Sequence, residues 1–246
     1  NKIETWEFLE NQLSEPICVN NFNPKIISEW ITKRQRKYPI FNNAYMMTGT
    51  HHLYNYLPTK HEKWLTMIKQ EIIDSGLIID ILNAKTMEAV FRLLQGCSFL
   101  GSFLAYQYTI DMNYSPYINF SENDFVKAGI GAIRGIKKCF LCYGNKCEDA
   151  IWYVKEHFND LLKRYGYTSF HPLPGHEPTL IDLQNCFCET DKYLRAKMPE
   201  LRIGNVRIKQ KYMPHTDPIQ FFFPPKWNIV EMYKYKPIVV PTLFDL

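Results

Sequence analysis

Three carboxylates, a glycine-and-cation run and a set of polar aromatics are the residues whose types and spacing suit chemistry. Asp111, Asp124 and Glu189 are the acids. A fixed carboxylate can stabilise positive charge developing on a reacting carbon, or activate a water. Ser121 with Asp124 three residues on resembles a capping box, which would set Asp124 at the start of a helix. Glu189 shares a helix face with Lys192 or Tyr193. That is either a pocket acid beside a cation or a plain i,i+3 ion pair. Gly129, Gly131 and Gly135 with Arg134, Lys137 and Lys138 read as a glycine-rich entry to a basic helix. Glycine lets backbone N–H groups approach a phosphate, and the cations release counterions; a tight turn and a solvated face is the alternative. Tyr45, Tyr106 and Gln107 are suited to stack on or hydrogen-bond a planar ring, and core packing is the alternative for each. Cys139, Cys142 and Cys147 have zinc-like spacing but lack a tidy second pair, so no metal and no cofactor is expected.

The elements that must position these groups are helical, and the fold class expected is all-α. Asn23-Pro24 reads as a cap followed by Pro at the first helical position. Thr59 opens a helix carrying Trp64, Met67, Ile68 and Ile72 that stops near Gly76. The spacing of Met87, Val90, Phe91 and Leu94 predicts a helix over Asn83 to Gln95. Further helices are expected over 102–112, from Ala132 to Phe140, from Glu148 to Arg164, and from a Thr179 cap to about Lys197. The break at 96–101 between two helices outlines a helix-hairpin-helix element. Gly101 and Ser102 would then offer backbone N–H groups to a DNA phosphate. Helix-hairpin-helix DNA glycosylases place a catalytic aspartate about twenty residues after the hairpin glycine, the window holding Glu122 and Asp124. Phe99 stands where their first hairpin glycine is usual. Phe103 stands where bifunctional members carry a lysine, so no Schiff-base lyase step is expected there.

Among 246 residues, 46% are hydrophobic and 22% charged, which excludes a disordered or collagen-like chain. No run of 18 apolar residues exists, so no spanning helix and no membrane partner is expected. The opening residues do not read as a secretory leader, and seven cysteines suit a reducing compartment, so an intracellular place on nuclear, nucleoid or viral DNA is expected. Residues 1–124 hold 11 basic against 13 acidic side chains, and 125–246 hold 18 against 12. The basic excess thus lies entirely in the second half, as a nucleic-acid face would require; chance asymmetry explains so small an excess equally well. Residues 1–200 are expected to form one helical domain. Residues 201–246, rich in proline, are expected to pack on it as an extended tail or to engage a protein partner.

A resemblance adds to this. Phe99-Leu100-Gly101-Ser102-Phe103-Leu104-Ala105-Tyr106-Gln107, Asp111-Met112-Asn113-Tyr114, Ser121 to Phe125 and Gly129 to Gly135 resemble the alpha-glutamyl/putrescinyl thymine pyrophosphorylase family and the related helical domain of 5-hydroxymethyl-deoxyuridine DNA kinases. Pro39 to Met47 and Asp182 to Tyr193 match two further blocks, so the resemblance covers roughly residues 20–200. It implies a DNA-glycosylase-like helical domain acting on modified thymines in double-stranded DNA, with Asp124 as the leading carboxylate and base flipping into a pocket. The implied reaction is N-glycosidic cleavage or substitution on the base modification. The alternative is a glycosylase-like module that binds or assembles without chemistry. The phosphate-binding pattern of the kinase partners, G-x-x-x-x-G-K-[ST], is absent.

Overall fold

The computed structural model describes residues 2–41, 47–173, 175–202 and 223–229. Among them are ten α-helices, with an isolated Leu173–His176 bridge as the only β pairing. The all-α expectation therefore stands.

α1 (Ile3–Leu13) is an amphipathic opening helix that buries Leu9, and the sequence pattern did not single it out. α2 (Pro24–Gln35) starts where expected: the Asn23 side chain accepts from the N–H groups of Lys25 and Ile26. α3 (Lys60–Met67) is capped by Thr59, whose hydroxyl accepts from the Glu62 N–H. It runs on into a π-helical stretch, Ile68–Asp74. α4 (Leu77–Asn83) follows Gly76, which turns the chain at φ +82.

Two expected helices are each divided. The one predicted from Asn83 begins instead at Met87, as α5 (Met87–Gln95), because Ala84 is extended and the Thr86 hydroxyl caps Ala89 N–H. The one predicted over Glu148 to Arg164 breaks at His157 into α8 (Glu148–Glu156) and α9 (Phe158–Arg164). His157 stacks on Tyr153 with ring centroids 4.4 Å apart, and its Nδ1 hydrogen-bonds the Tyr153 carbonyl at 2.9 Å. Between these lie α6 (Ser102–Asn113) and α7 (Ile130–Cys139). α10 (Leu180–Lys197) closes the series, with a Thr179–Asp182 capping box at its start.

The α5–α6 turn holds a non-glycine residue in a left-handed conformation. Phe99 adopts φ +66, the left-handed conformation that a glycine would take at this position. For a non-glycine residue that costs about 1–2 kcal/mol. Burial of the ring, worth about 1.5–3 kcal/mol, offsets it. Phe99 stacks on Trp64 at 5.2 Å and packs on Tyr54 at 5.4 Å. The π-helical stretch supplies a second restraint through Glu71. Its carboxylate accepts from Ser98 N–H at 2.7 Å and from the Tyr54 hydroxyl at 2.6 Å. Burial would raise the Glu71 pKa, but these hydrogen bonds outweigh it and hold the carboxyl below the usual glutamate value.

Two hydrophobic cores result. The larger is built on Phe91, Met67, Ile81, Met87, Ile136 and Ile151, all at most 1% exposed. The smaller joins Leu9 of α1 to Ile27 and Ile31 of α2 and to Ile40.

Candidate functional site

A cavity of about 800 Å³ opens where the smaller core meets the larger one. That volume lies within the range of small-molecule sites. α6 forms one wall through Leu104, Gln107, Tyr108 and Asp111, which its 3.6-residue period brings to one face. α1 contributes Thr5, Trp6 and Leu9, and α3 contributes His61 and Trp64. Most of the lining is apolar, and two of its buried polar atoms lack a partner among the described residues. The Gln107 side chain is 9% exposed, yet its Nε2 has no hydrogen-bond partner among the described residues, and the same holds for Thr5 Oγ1. His61 Nε2 is 3.0 Å from Thr32 Oγ1, and burial pushes its pKa down, which favours the neutral imidazole. Asp111 stands at the rim. Water reaches it, but the concave wall crowds its carboxyl, and this desolvation raises its pKa above the usual aspartate value. No hydrogen bond or ion pair engages its carboxyl within the described residues.

The glycine-and-cation run lies elsewhere and is used differently. α7 packs face to face on α10. A Cβ at Gly135 would fall 2.0 Å from the Phe187 carbonyl oxygen, and one at Gly131 2.4 Å from Cys188 Sγ. These glycines are where two helix backbones touch. The Gly129 N–H donates to Gln184 Oε1 at 3.1 Å, so it is already occupied. The Lys138 side chain is 2% exposed, with Nζ 2.6 Å from Asp191, which also pairs with Arg195 at 3.1 Å. Of the expected phosphate contacts, Lys137 is exposed and Arg134 half-buried, while Gly129, Gly131, Gly135 and Lys138 serve the seam instead. Gly101 at the start of α6 is exposed, and a Cβ there would meet nothing; Ser102 beside it is half-buried.

The remaining expected residues scatter. Asp124 is exposed on the α6–α7 connection, which carries no helix; the helix expected to begin there starts at Ile130. Hydrogen-bonded neighbours fix that connection. Asn113 exchanges two bonds with Phe120, Asn123 Oδ1 accepts from Leu180 N–H at 3.2 Å, and Glu148 accepts from Lys127 and Ala128. Glu189 forms an exposed i,i+3 ion pair with Lys192, and Tyr193 is exposed. Tyr106 is 1% exposed with its hydroxyl 3.4 Å from the Phe125 carbonyl, a core position. Tyr45 lies outside the described residues. Among the described residues no three His, Cys, Asp or Glu side chains could hold a metal, so Cys139, Cys142 and Cys147 are not gathered into a site. No helix of the described residues is long and apolar enough to cross a membrane. Thr5 and His61 line the cavity without having been singled out. The available signal was a histidine three residues before Trp64 on an otherwise apolar helix face.

The family described as "5-hmdU DNA kinase, helical domain" matches residues 1–203. The chain belongs to that family. No curated protein and no solved structure matches it. The 5-hmdU DNA kinase helical domain thus takes in the cavity, the α5–α6 turn and the α7–α10 seam. It stops before the described segment Phe223–Ile229. Membership sets the chain among enzymes concerned with a modified base in DNA.

Proposed function

We propose that this chain binds double-stranded DNA and takes an extruded 5-hydroxymethyluracil-type base into the cavity beside α6. The observation that carries the reading is Gln107: a buried amide donor with no partner among the described residues, facing an apolar cavity. Leaving such a group unmatched costs about 1–3 kcal/mol, and a pyrimidine carbonyl oxygen supplies the missing acceptor. Asp111, one helical turn further on, is the acid or base. Its raised pKa brings its protonation change closer to neutral pH, where general acid–base work is most efficient. The backbone N–H of Ser102 that opens α6, with Lys137 and Arg134, supplies the proposed phosphate contacts; the Gly101 N–H already donates to the Phe99 carbonyl at 3.2 Å. The chemistry is N-glycosidic cleavage without a lyase step, or substitution on the base modification.

A second reading draws on the family description, which is of a helical domain of a kinase. In it the cavity selects the base, and chemistry belongs to another unit. Incubating the full chain with duplexes containing 5-hydroxymethyluracil or thymine, then analysing the bases by mass, separates the readings. An abasic site or an altered base that disappears in Asp111→Asn supports the enzyme. Unchanged DNA, with binding that prefers the modified base and weakens in Gln107→Leu, supports the selector. Unchanged DNA with equal binding to both duplexes would sink both.

A further inference from the structure

The described segment Phe223–Ile229 lies beyond the family match and docks on the domain at one place. Lys226 places its ammonium against the C-terminal end of α6. It donates to the carbonyl of Asn113, the last residue of that helix, to the Ile118 carbonyl at 3.3 Å and to Asn119 Oδ1 at 3.3 Å. A helix C-terminus carries partial negative charge and exposes carbonyls without intrahelical partners, so a cation suits it. Burial pulls the Lys226 pKa below the usual lysine value, against the opposing effect of Glu122.

Trp227 fills the adjoining space. Its ring stacks on His176 with centroids 3.6 Å apart and planes 20° apart. It meets Tyr114 edge-on at 5.5 Å, and its indole N–H donates to Glu122 Oε1 at 2.9 Å. His176 stands between two carboxylates, 3.9 Å from Glu122 and 3.6 Å from Asp182. The surface therefore offers carbonyls and acids to a cation, and an imidazole face with a carboxylate acceptor to an indole. All of these groups belong to the family domain; only the occupant comes from outside it.

We propose that the end of α6, the 114–122 connection and His176 form a peptide-binding socket for a lysine–tryptophan pair, which this chain fills with its own Lys226-Trp227. The segment does not line the cavity, so it does not plug the proposed base site. It ties the C-terminal end of the helix bearing Gln107 and Asp111 to the connection bearing Asp124.

The test uses the full chain with K226A and W227A together, which vacates the socket, and a labelled peptide Phe-Pro-Pro-Lys-Trp-Asn-Ile. A free peptide lacks the millimolar effective concentration that a short tether supplies, so the titration runs into the millimolar range. The expected result is binding to the vacated chain and at least tenfold weaker binding to wild type, whose socket is filled. Binding should fall at least tenfold when the peptide's Lys or Trp becomes Ala. Glu122→Gln in the vacated chain should weaken it too. Circular dichroism and thermal unfolding confirm that each variant is folded; should the vacated chain not fold, the wild-type chain serves instead, with solvent protection of 114–122 compared in the single variants K226A and W227A. No binding up to solubility, equal binding to filled and vacated chains, indifference to the peptide's Lys and Trp, or unchanged protection in the single variants overturns the proposal. None of these readouts depends on DNA.

Discussion

The cavity beside α6 and the seam between α7 and α10 are built from similar ingredients, a glutamine, acids and cations among apolar side chains. In the seam the acid and the cations pair with one another, and the glutamine oxygen takes a backbone N–H. Gln184 takes the Gly129 N–H, and Lys138 and Arg195 converge on Asp191. In the cavity Gln107 Nε2 and Thr5 Oγ1 are buried without partners among the described residues, and the Asp111 carboxyl pairs with none of them at the rim. A buried polar group that is satisfied within the protein stabilises the fold. One left unsatisfied costs stability unless a ligand completes it. The glycine-rich, cationic stretch that most suggested ligand binding is the matched region.

Changes in the seam should therefore cost stability, and changes in the cavity should cost function instead. The largest effect is expected for Asp191→Ala, which leaves the Lys138 ammonium and the Arg195 guanidinium buried together. Breaking a buried pair in this way costs about 3–5 kcal/mol, read as a lower urea midpoint. Glu189→Ala, one of the exposed pair, should shift the same midpoint by at most about 1 kcal/mol. Equal shifts would dissolve the distinction between the seam and the α10 surface.

Gly135→Ala comes next, at about 1–3 kcal/mol or more, because its Cβ meets backbone that cannot move without separating two helices. Gly131→Ala should cost less, since its nearest obstacle is the Cys188 side chain, and Cys188→Ala should restore part of the loss. If Gly135→Ala keeps wild-type stability but loses DNA affinity, the glycines are phosphate contacts after all.

In the cavity, Gln107→Leu removes an unmatched donor. Its expected effect is a thermal midpoint unchanged or slightly raised, with binding to modified duplex weakened about tenfold, the equivalent of one hydrogen bond. A marked loss of stability would show that Gln107 belongs to the structure.

The smallest effects separate the regions by pH. Asp111 has a raised folded-state pKa, so its contribution to stability is fullest in acid and is lost as pH rises from the ordinary aspartate value through the raised one. Glu148 has a lowered pKa. Burial opposes this, but the hydrogen bonds from Lys127 and Ala128 prevail, so its contribution is full above the ordinary glutamate value and is lost as pH falls through the lowered one. Relative to wild type, Asp111→Asn should gain stability on going from acid to neutral pH, and Glu148→Gln should lose it. Urea titrations across that range check both signs.

Much of this architecture was legible in the sequence. Asn23, Thr59 and Thr179 announced their helices because a cap acts within four residues. The α5–α6 turn was legible from Gly101, although Phe99 holds its left-handed backbone by ring packing rather than by being glycine. The breaks at Ala84 and His157 were hidden, because apolar periodicity continues across both. Within the site, Gln107 and Asp111 were marked by their place on α6. Thr5 and His61 were not, because their role depends on α1 and α3 meeting α6 across two cores. The Gly129–Gly135 run carried the right residues for two uses, and only the position of α10 decides which.

On the proposed function, a modified base enters the cavity and meets Gln107. That entry is tested most directly by the fluorescence of 2-aminopurine placed beside 5-hydroxymethyluracil in a duplex, titrated with wild type, Gln107→Leu and Glu189→Ala. Fluorescence should rise with wild type and Glu189→Ala, the signature of an unstacked neighbour. The curve should shift about tenfold for Gln107→Leu, and the response should be weaker for a thymine duplex. Identical curves for all three proteins, or no rise with any of them, would contradict the proposed function.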